Sequence, residues 1–159
     1  MDRISTSYTL HAVRDSDLGD LLALMRGYCD FYAAAPVEED LLAMARALIA
    51  DPEREGVQIL ARDRHGRAVG FATVFWSWST LRARRVGVMN DLFVDSSARG
   101  SGIAEALIAE CVERCRARGA AALGWQTAKD NRRAQAVYER VGANRAERVD
   151  YSLEVQSRP

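Results

Sequence analysis

Histidine occurs only twice in the 159 residues and cysteine three times, and acidic and basic side chains balance at 22 each. Each shortage excludes something. Cys111 and Cys115 lie one helical turn apart, but a metal would need further ligands, and only His11, His65 and Cys29 remain to supply them, scattered along the chain. No metal site is expected, and the cysteines read as free thiols, the last two on a packed helix face. The balanced charge lacks the basic surplus that nonspecific attachment to nucleic acid or to a membrane surface requires. The clusters Arg82, Arg84, Arg85 and Arg132, Arg133 are short enough to be solvated faces. No run approaches the roughly twenty apolar residues that span a bilayer. Met1 to Thr6 has neither the charged nor the apolar region of a signal peptide, so a cytoplasmic location is the expectation.

What is present is an ordinary globular composition, 48% hydrophobic and 28% charged, without repeats, low-complexity tracts or linkers. One domain spanning residues 1–159 is expected. Tyr8 to Arg14 reads as a first strand. Asp15-Ser16-Asp17 then caps a helix that turns Leu18, Leu21, Leu22 and Met25 toward a core. A second helix runs from about Val37 through Ile49, opened by Pro36 and closed by Asp51-Pro52. Val57 to Arg62 and Ala68 to Trp78 are β-rich, with His65-Gly66 between them as a hairpin turn. Arg145 to Val155 alternates enough to add a final strand or two. Strands and helices in this order predict an α/β layered domain.

The densest signal is the stretch Val88 to Ala104. An apolar run passes through a short polar turn into Arg99-Gly100-Ser101-Gly102 and opens directly into an amphipathic segment carrying Leu107, Ile108, Cys111 and Val112 on one face. Strand, glycine loop and helix in that order suit an anion. Glycines let the backbone approach a ligand with no Cβ in the way, successive N–H groups can converge on one phosphate, and the helix start adds partial positive charge. Arg99 contributes a full charge and a planar fork of donors. Two familiar nucleotide loops are excluded: no Gly-Lys-Ser/Thr follows, and Gly100-Ser101-Gly102 lacks the third glycine of a dinucleotide fingerprint. Gln126, where a ribose-binding acid would stand, points the same way. The loop reads as a pyrophosphate site for a different phosphate-bearing cofactor.

Downstream, Asp130 or Asn131 can cap a short helix whose apolar positions include Ala134, Val137, Tyr138 and Val141, with Gly142 as terminator. Taken together, Arg99-x-x-Gly102-x-Ala104 and Asn131-x-x-Ala134-x-x-x-Tyr138 followed by Gly142-Ala143 resemble, in order, the two signatures of the GCN5-related N-acetyltransferase (GNAT) superfamily. The resemblance covers most of the chain. It implies a central mixed β-sheet of about six to seven strands flanked by about four helices, with acetyl-CoA, as cosubstrate, between two parallel strands that splay apart. By position these are Val86 to Val94 and Ala121 to Gln126.

The resemblance also implies roles. Backbone groups of Phe93 and Val94 would bond the pantetheine arm and polarise the thioester carbonyl, since a fixed amide stabilises charge as that carbonyl becomes tetrahedral. Arg99, Gly100, Ser101, Gly102, Ile103 and Ala104 would hold the pyrophosphate, and Arg132 or Arg133 stands close enough in sequence for one to meet a phosphate. Asn131 would bond the pantetheine region, its alternative being a helix cap alone. Tyr138 would protonate the departing thiolate, because a phenol with a reference pKa near 10 keeps its proton at neutral pH; its alternative is a packed core tyrosine.

The match loosens at the base. Some polyamine acetyltransferases of the superfamily carry a glutamate where this chain has Asn90, and an amide accepts no proton at working pH although it can bond the amine or orient a water. Asp91 is the nearest carboxylate in sequence and the candidate for amine binding or indirect deprotonation, with a strand-end salt bridge as the alternative. On a regular strand Asn90 and Asp91 face opposite ways, so a shared site needs a bulge, a feature common in the superfamily at this strand. Acceptor binding is expected from Tyr28, Tyr32, Trp76 and Trp78 beside Asn90 and Asp91, because aromatic faces near a carboxylate suit a cationic amine. The expected activity is transfer of an acetyl group from acetyl-CoA to a primary amine of a small molecule or peptide by direct attack. The alternatives are a catalytically weak or inactive acyl-CoA-binding sensor and transfer of a longer acyl group. Many members of the superfamily pair through their sheets, which leaves a homodimer open.

Overall fold

Helix α1 (Leu18–Phe31) owes its place to three apolar side chains, Leu21, Leu24 and Met25, that recur at helical spacing and are buried, while Asp20 and Asp30 stay outside. In the computed structural model, which describes residues 8–155, it follows strand β1 (Thr9–Ala12) and a single 3-10 turn at Asp15–Asp17. Residues 1–6, read above as lacking a leader, lie outside the described part. Helix α2 (Glu38–Ala50) starts after Pro36-Val37 with three acidic residues in its first turn and ends at Asp51, as the chain's punctuation predicts. Strands β2 (Gly56–Arg62), β3 (Ala68–Ser79) and β4 (Arg84–Val94) follow, then a 3-10 turn at Ser96–Ala98, helix α3 (Ile103–Ala117), the short strand β5 (Leu123–Gly124) and helix α4 (Arg132–Arg140).

The strands form one mixed sheet in the order β1-β2-β3-β4-β5, antiparallel up to β4 and parallel between β4 and β5. Leu60 and Phe71 pair across β2 and β3 and, with Phe93 beside them, face α1 and α2, where Leu21, Leu24, Met25, Leu41 and Ala45 complete a core. The opposite face carries α3: a Cβ built on Gly70 would meet Leu107, and one built on Gly87 would meet Cys115. Burial pushes the Cys111 thiol up to about 12 and raises that of Cys115 as well, so these are inert packing thiols.

The chain divides into two compact units, one reaching to Gln126 and one starting at Thr127. The second contains α4, whose start is capped by Asn131: its Oδ1 accepts from the Ala134 amide at 3.2 Å. Gly142, at φ 78°, ends the helix in the left-handed conformation that glycine adopts without strain. Four α-helices match the expectation, but the sheet has five strands among the described residues rather than six or seven. Arg145 to Val155 forms no strand, and Val149, Tyr151, Leu153 and Val155 are all exposed. Alternation is the pattern of a half-buried strand, but a ladder also needs a partner backbone, which alternation does not supply.

Candidate active site

Strand β4 changes character along its length. Its pairing with β5 is confined to Gly87 with Leu123 and Val88 with Gly124, extended backward by hydrogen bonds between Gly87 and Ala122 and between Ala121 and Arg85. Beyond Val88 no described strand continues on that side, so Met89 to Val94 keeps β3 on one edge and presents its other edge unladdered. Such an edge offers backbone donors and acceptors to an extended ligand.

Within this stretch Thr73 pairs with Asp91 while Val74 pairs with Met89, so Asn90 is the extra residue of a β-bulge. The bulge lets adjacent residues work together: Asn90 Nδ2 donates to Asp91 Oδ1 at 3.0 Å. Helix α1 closes over them. Tyr28 shares its hydroxyl between the Asn90 carbonyl oxygen, at 3.4 Å, and the Asp91 carboxylate. Its ring meets Tyr32 at 5.0 Å and Phe71 and Phe93 edge-on at 6.1 and 6.5 Å. Close approach of the helix depends on Gly27, where a Cβ would lie 2.9 Å from the Phe93 ring.

Asp91 is only 7% exposed, and among the described residues no cation faces it; its partners are Thr73, Tyr28 and Asn90. Burial pushes its carboxyl above the usual value, and those three hydrogen bonds pull it part of the way back. Burial, then the nearby Asp91 charge and Tyr32, push the Tyr28 phenol well above its ordinary range, so Tyr28 stays protonated and donates. A carboxylate in this state can attract a cationic amine and is a better proton acceptor than one in water.

At the end of β4 the chain enters the glycine loop. Asp95 braces the turn by accepting from the Ser97 amide at 2.9 Å, Ser101 donates to the Ala98 carbonyl, and Arg99 Nε donates to the Val94 carbonyl at 3.0 Å. This anchors the guanidinium by one nitrogen and leaves its terminal fork for an anion. Gly100 and Gly102 have φ of 75° and 82°, and a Cβ at either would enter open space. The N-cap of α3 is Gly102, which has no side chain to cap the helix, so the amides of Ile103 and Ala104 stand at a helix start whose N-cap supplies no acceptor. An open cradle, positive-φ glycines and an uncapped helix start fit a pyrophosphate.

In the second unit, Asn131 spends its Oδ1 on the cap and retains Nδ2 as a donor, while Gln135 braces the preceding turn through the Ala128 and Lys129 carbonyls. Tyr138 is half-buried on α4, and its carbonyl accepts from the Ala143 amide.

Trp76 and Trp78 are not gathered with Tyr28, Tyr32, Asn90 and Asp91. By strand alternation they share a sheet face with Gly70 and Val74, opposite to Thr73. Trp76 stacks under Arg118, just after α3, and donates to the Pro52 carbonyl; Trp78 lies under Arg85. Two residues beside the site escaped the sequence reading. Gln58 and Thr73 are buried polar side chains in otherwise apolar strand segments, Val57 to Ala61 and Phe71 to Phe75, and that lone polarity was the available signal.

The chain matches the model of the acetyltransferase (GNAT) family over residues 21–143. It is 29% identical over 133 residues to the uncharacterized N-acetyltransferase YhfO of Bacillus subtilis (strain 168), covering 84% of this chain and 87% of that one. A solved structure of a probable acetyltransferase superposes with a TM-score of 0.80 at 26% identity, over 94% of this chain and 99% of the other. An aminoglycoside N-acetyltransferase crystallised in complex with CoA superposes with a TM-score of 0.79 at 19% identity, over 97% and 99% of the two chains, and shows the shared fold.

Proposed function

Since the chain belongs to the acetyltransferase (GNAT) family and is an acyltransferase, we propose that it transfers an acetyl group from acetyl-CoA directly to a primary amine of a small molecule or peptide. One observation carries the reading. Strand β4 loses its parallel neighbour after Val88, then presents the Asp91 carboxylate beside the bulge at Asn90, and ends in a glycine loop at an uncapped helix. In this reading amine site, thioester edge and phosphate cradle follow one another along β4 and into the loop after it.

Acetyl-CoA supplies the acetyl group on a reactive thioester. In this reading Arg99, Gly100, Ser101, Gly102, Ile103 and Ala104 hold the pyrophosphate, and the backbone of Phe93 and Val94 holds the pantetheine arm and stabilises negative charge developing on the carbonyl. Asn131 adds a bond through Nδ2. Tyr28, Tyr32 and Asn90 line the amine side, and Asp91 holds the ammonium group and receives its proton directly or through a water. Tyr138 gives its phenolic proton to the departing sulfur. Orientation of amine and thioester contributes the rest of the rate. The reading takes residues 1–159 as one acetyltransferase domain at work in the cytoplasm, with a homodimer left open. No helix among the described residues is long and apolar enough to cross a membrane.

The test is thiol release from acetyl-CoA against polyamines, amino acids, aminoglycosides and short peptides, alongside calorimetry of acetyl-CoA binding. Gly102→Val puts a branched side chain at φ 82° into the open cradle and is expected to weaken acetyl-CoA binding by roughly a hundredfold or more. Unchanged affinity refutes the phosphate loop. Tyr138→Phe is expected to lower turnover by about tenfold or more with affinity nearly intact, the signature of a group acting in the transition state. Binding without turnover on any acceptor would favour the sensor reading instead.

A further inference from the structure

Gln58, Thr73 and Asp91 stand in one row across β2, β3 and β4, Gln58 opposite Thr73 and Thr73 opposite Asp91. They are 3%, 0% and 7% exposed. The next row on the same face is Leu60, Phe71 and Phe93, so this polar line lies directly beside an apolar one. Gln58 Nε2 donates to Thr73 Oγ1 at 3.1 Å, and Thr73 stands directly across from Asp91, whose carboxyl its hydroxyl pulls down.

The direction of these bonds follows from counting protons. A threonine hydroxyl has one proton. Because its oxygen accepts from the Gln58 amide, that proton is free to turn to Asp91, the cross-strand neighbour. Turning the amide over would make Gln58 Oε1 the acceptor for the same proton and would leave Asp91 without its donor. The arrangement present has a cost: Oε1 is buried with no hydrogen-bond partner. Two apolar side chains would fill these positions without an orphaned acceptor, so stability does not account for the row.

We propose that Gln58 and Thr73 are positioning residues, which fix the Asp91 carboxylate as a hydrogen-bonded, ionised acceptor beside Asn90 and Tyr28 so that it can hold the substrate amine and take its proton. The inference rests on the acetyl-transfer reading. The titratable groups near the cluster are Tyr28, Tyr32 and Cys29 of α1, and among the described residues no cation contributes. The row therefore offsets part of the burial penalty on the Asp91 carboxylate with dipoles, where an ion pair would use a full charge. Burial raises its pKa, and the Thr73 bond opposes that rise.

The experiment titrates Asp91 by carboxyl carbon NMR in the full chain and, in parallel, measures the pH dependence of kcat/KM for the best acceptor from the panel. Thr73→Val and Gln58→Leu are expected to raise the Asp91 midpoint, by about tenfold in proton affinity for Thr73→Val, with the acidic limb of kcat/KM moving in step and acetyl-CoA affinity unchanged. Thr73→Ser keeps the hydroxyl and is expected to restore the native midpoint. Gln58→Leu removes the orphaned acceptor, so its Tm is expected to hold or rise while the acidic limb shifts, a combination that a packing role would not produce. A stationary midpoint in Thr73→Val overturns the proposal, as does a midpoint that moves without the rate following it. The two readings fail separately: absence of turnover in the unsubstituted protein counts against acetyl transfer, whereas a stationary midpoint counts against the positioning row alone.

Discussion

Asp17 and Asp91 are buried to the same degree, 6% and 7% exposed, yet their surroundings give them opposite chemistry. Asp17, in the 3-10 turn before α1, meets Arg62 Nη2 at 2.7 Å, His11 Nε2 at 3.2 Å and the Arg14 amide at 3.0 Å. Burial alone would raise its carboxyl, but Arg62, the Arg14 amide and His11 together hold it below the usual range. Arg62 reaches on to Asp20 at 2.8 Å and to the Gly66 carbonyl at 2.9 Å, so the cluster ties β2 to the start of α1 and to the hairpin turn. Asp91 has hydrogen-bond donors and no cation, and its carboxyl is raised. Burial does not separate a structural carboxylate from a reactive one. What separates them is whether the compensation is a full charge, which makes the ionised form permanent, or dipoles, which leave it able to exchange a proton.

The sharpest way to break this contrast is to remove each charge in turn. Asp17→Asn is expected to cost about 3 kcal/mol of stability, because Arg62 loses its buried partner. Per folded molecule, acceptor kinetics are expected to be unchanged. Urea unfolding read beside initial rates checks both, and an intact stability would make the Asp17 cluster ornamental. Asp91→Asn is expected to do the reverse: acceptor kcat/KM falls roughly a hundredfold, equivalent to about 2.7 kcal/mol of transition-state stabilisation, while Tm stays or rises since no paired charge is lost. Normal acceptor kinetics in that variant would reassign Asp91 to structure.

The smallest effect is in the pH dependence of folding, where the two carboxylates carry opposite signs. The folded-state pKa of Asp17 is depressed, so its contribution is present above the unfolded value near 4 and is lost as pH falls through the folded value. For Asp91 the folded value is raised, so its ionisation weakens the fold at neutral pH, and stability returns as pH falls through that value. Compared with the unsubstituted protein, Asp17→Asn should therefore be less stable and Asp91→Asn no less stable at neutral pH. Both gaps should close on acidification, from opposite sides. Denaturant midpoints between pH 3 and pH 8 read this directly, and gaps closing from one side would end the distinction.

Much of the architecture was legible from local chemistry. Gly100 and Gly102 mark the positive-φ loop, Pro36 and Asp51 bracket α2, and Asn131 and Gly142 bound α4, because capping and turn preferences are properties of a few adjacent residues. The final strands over Arg145 to Val155 were misread for the complementary reason that pairing is not a local property. The site was half legible. Asp91, Asn90 and Tyr28 were named as candidates, but their meeting depends on a bulge at Asn90 and on α1 seating Gly27 against Phe93. Trp76 and Trp78 look like site residues by composition, and strand alternation turns them to the face that carries α3.

The sequence by itself determined the order of the helices and principal strands, the positive-φ glycine loop and the family, since these are written in spacing and in residue types with few substitutes for a positive φ or a helix cap. Only the tertiary structure decided which buried aspartate has its carboxyl raised and which has it lowered. That depends on which strand lies beside which, whether Arg62 or Thr73 reaches the carboxylate, and a proton's affinity is set by neighbours in space.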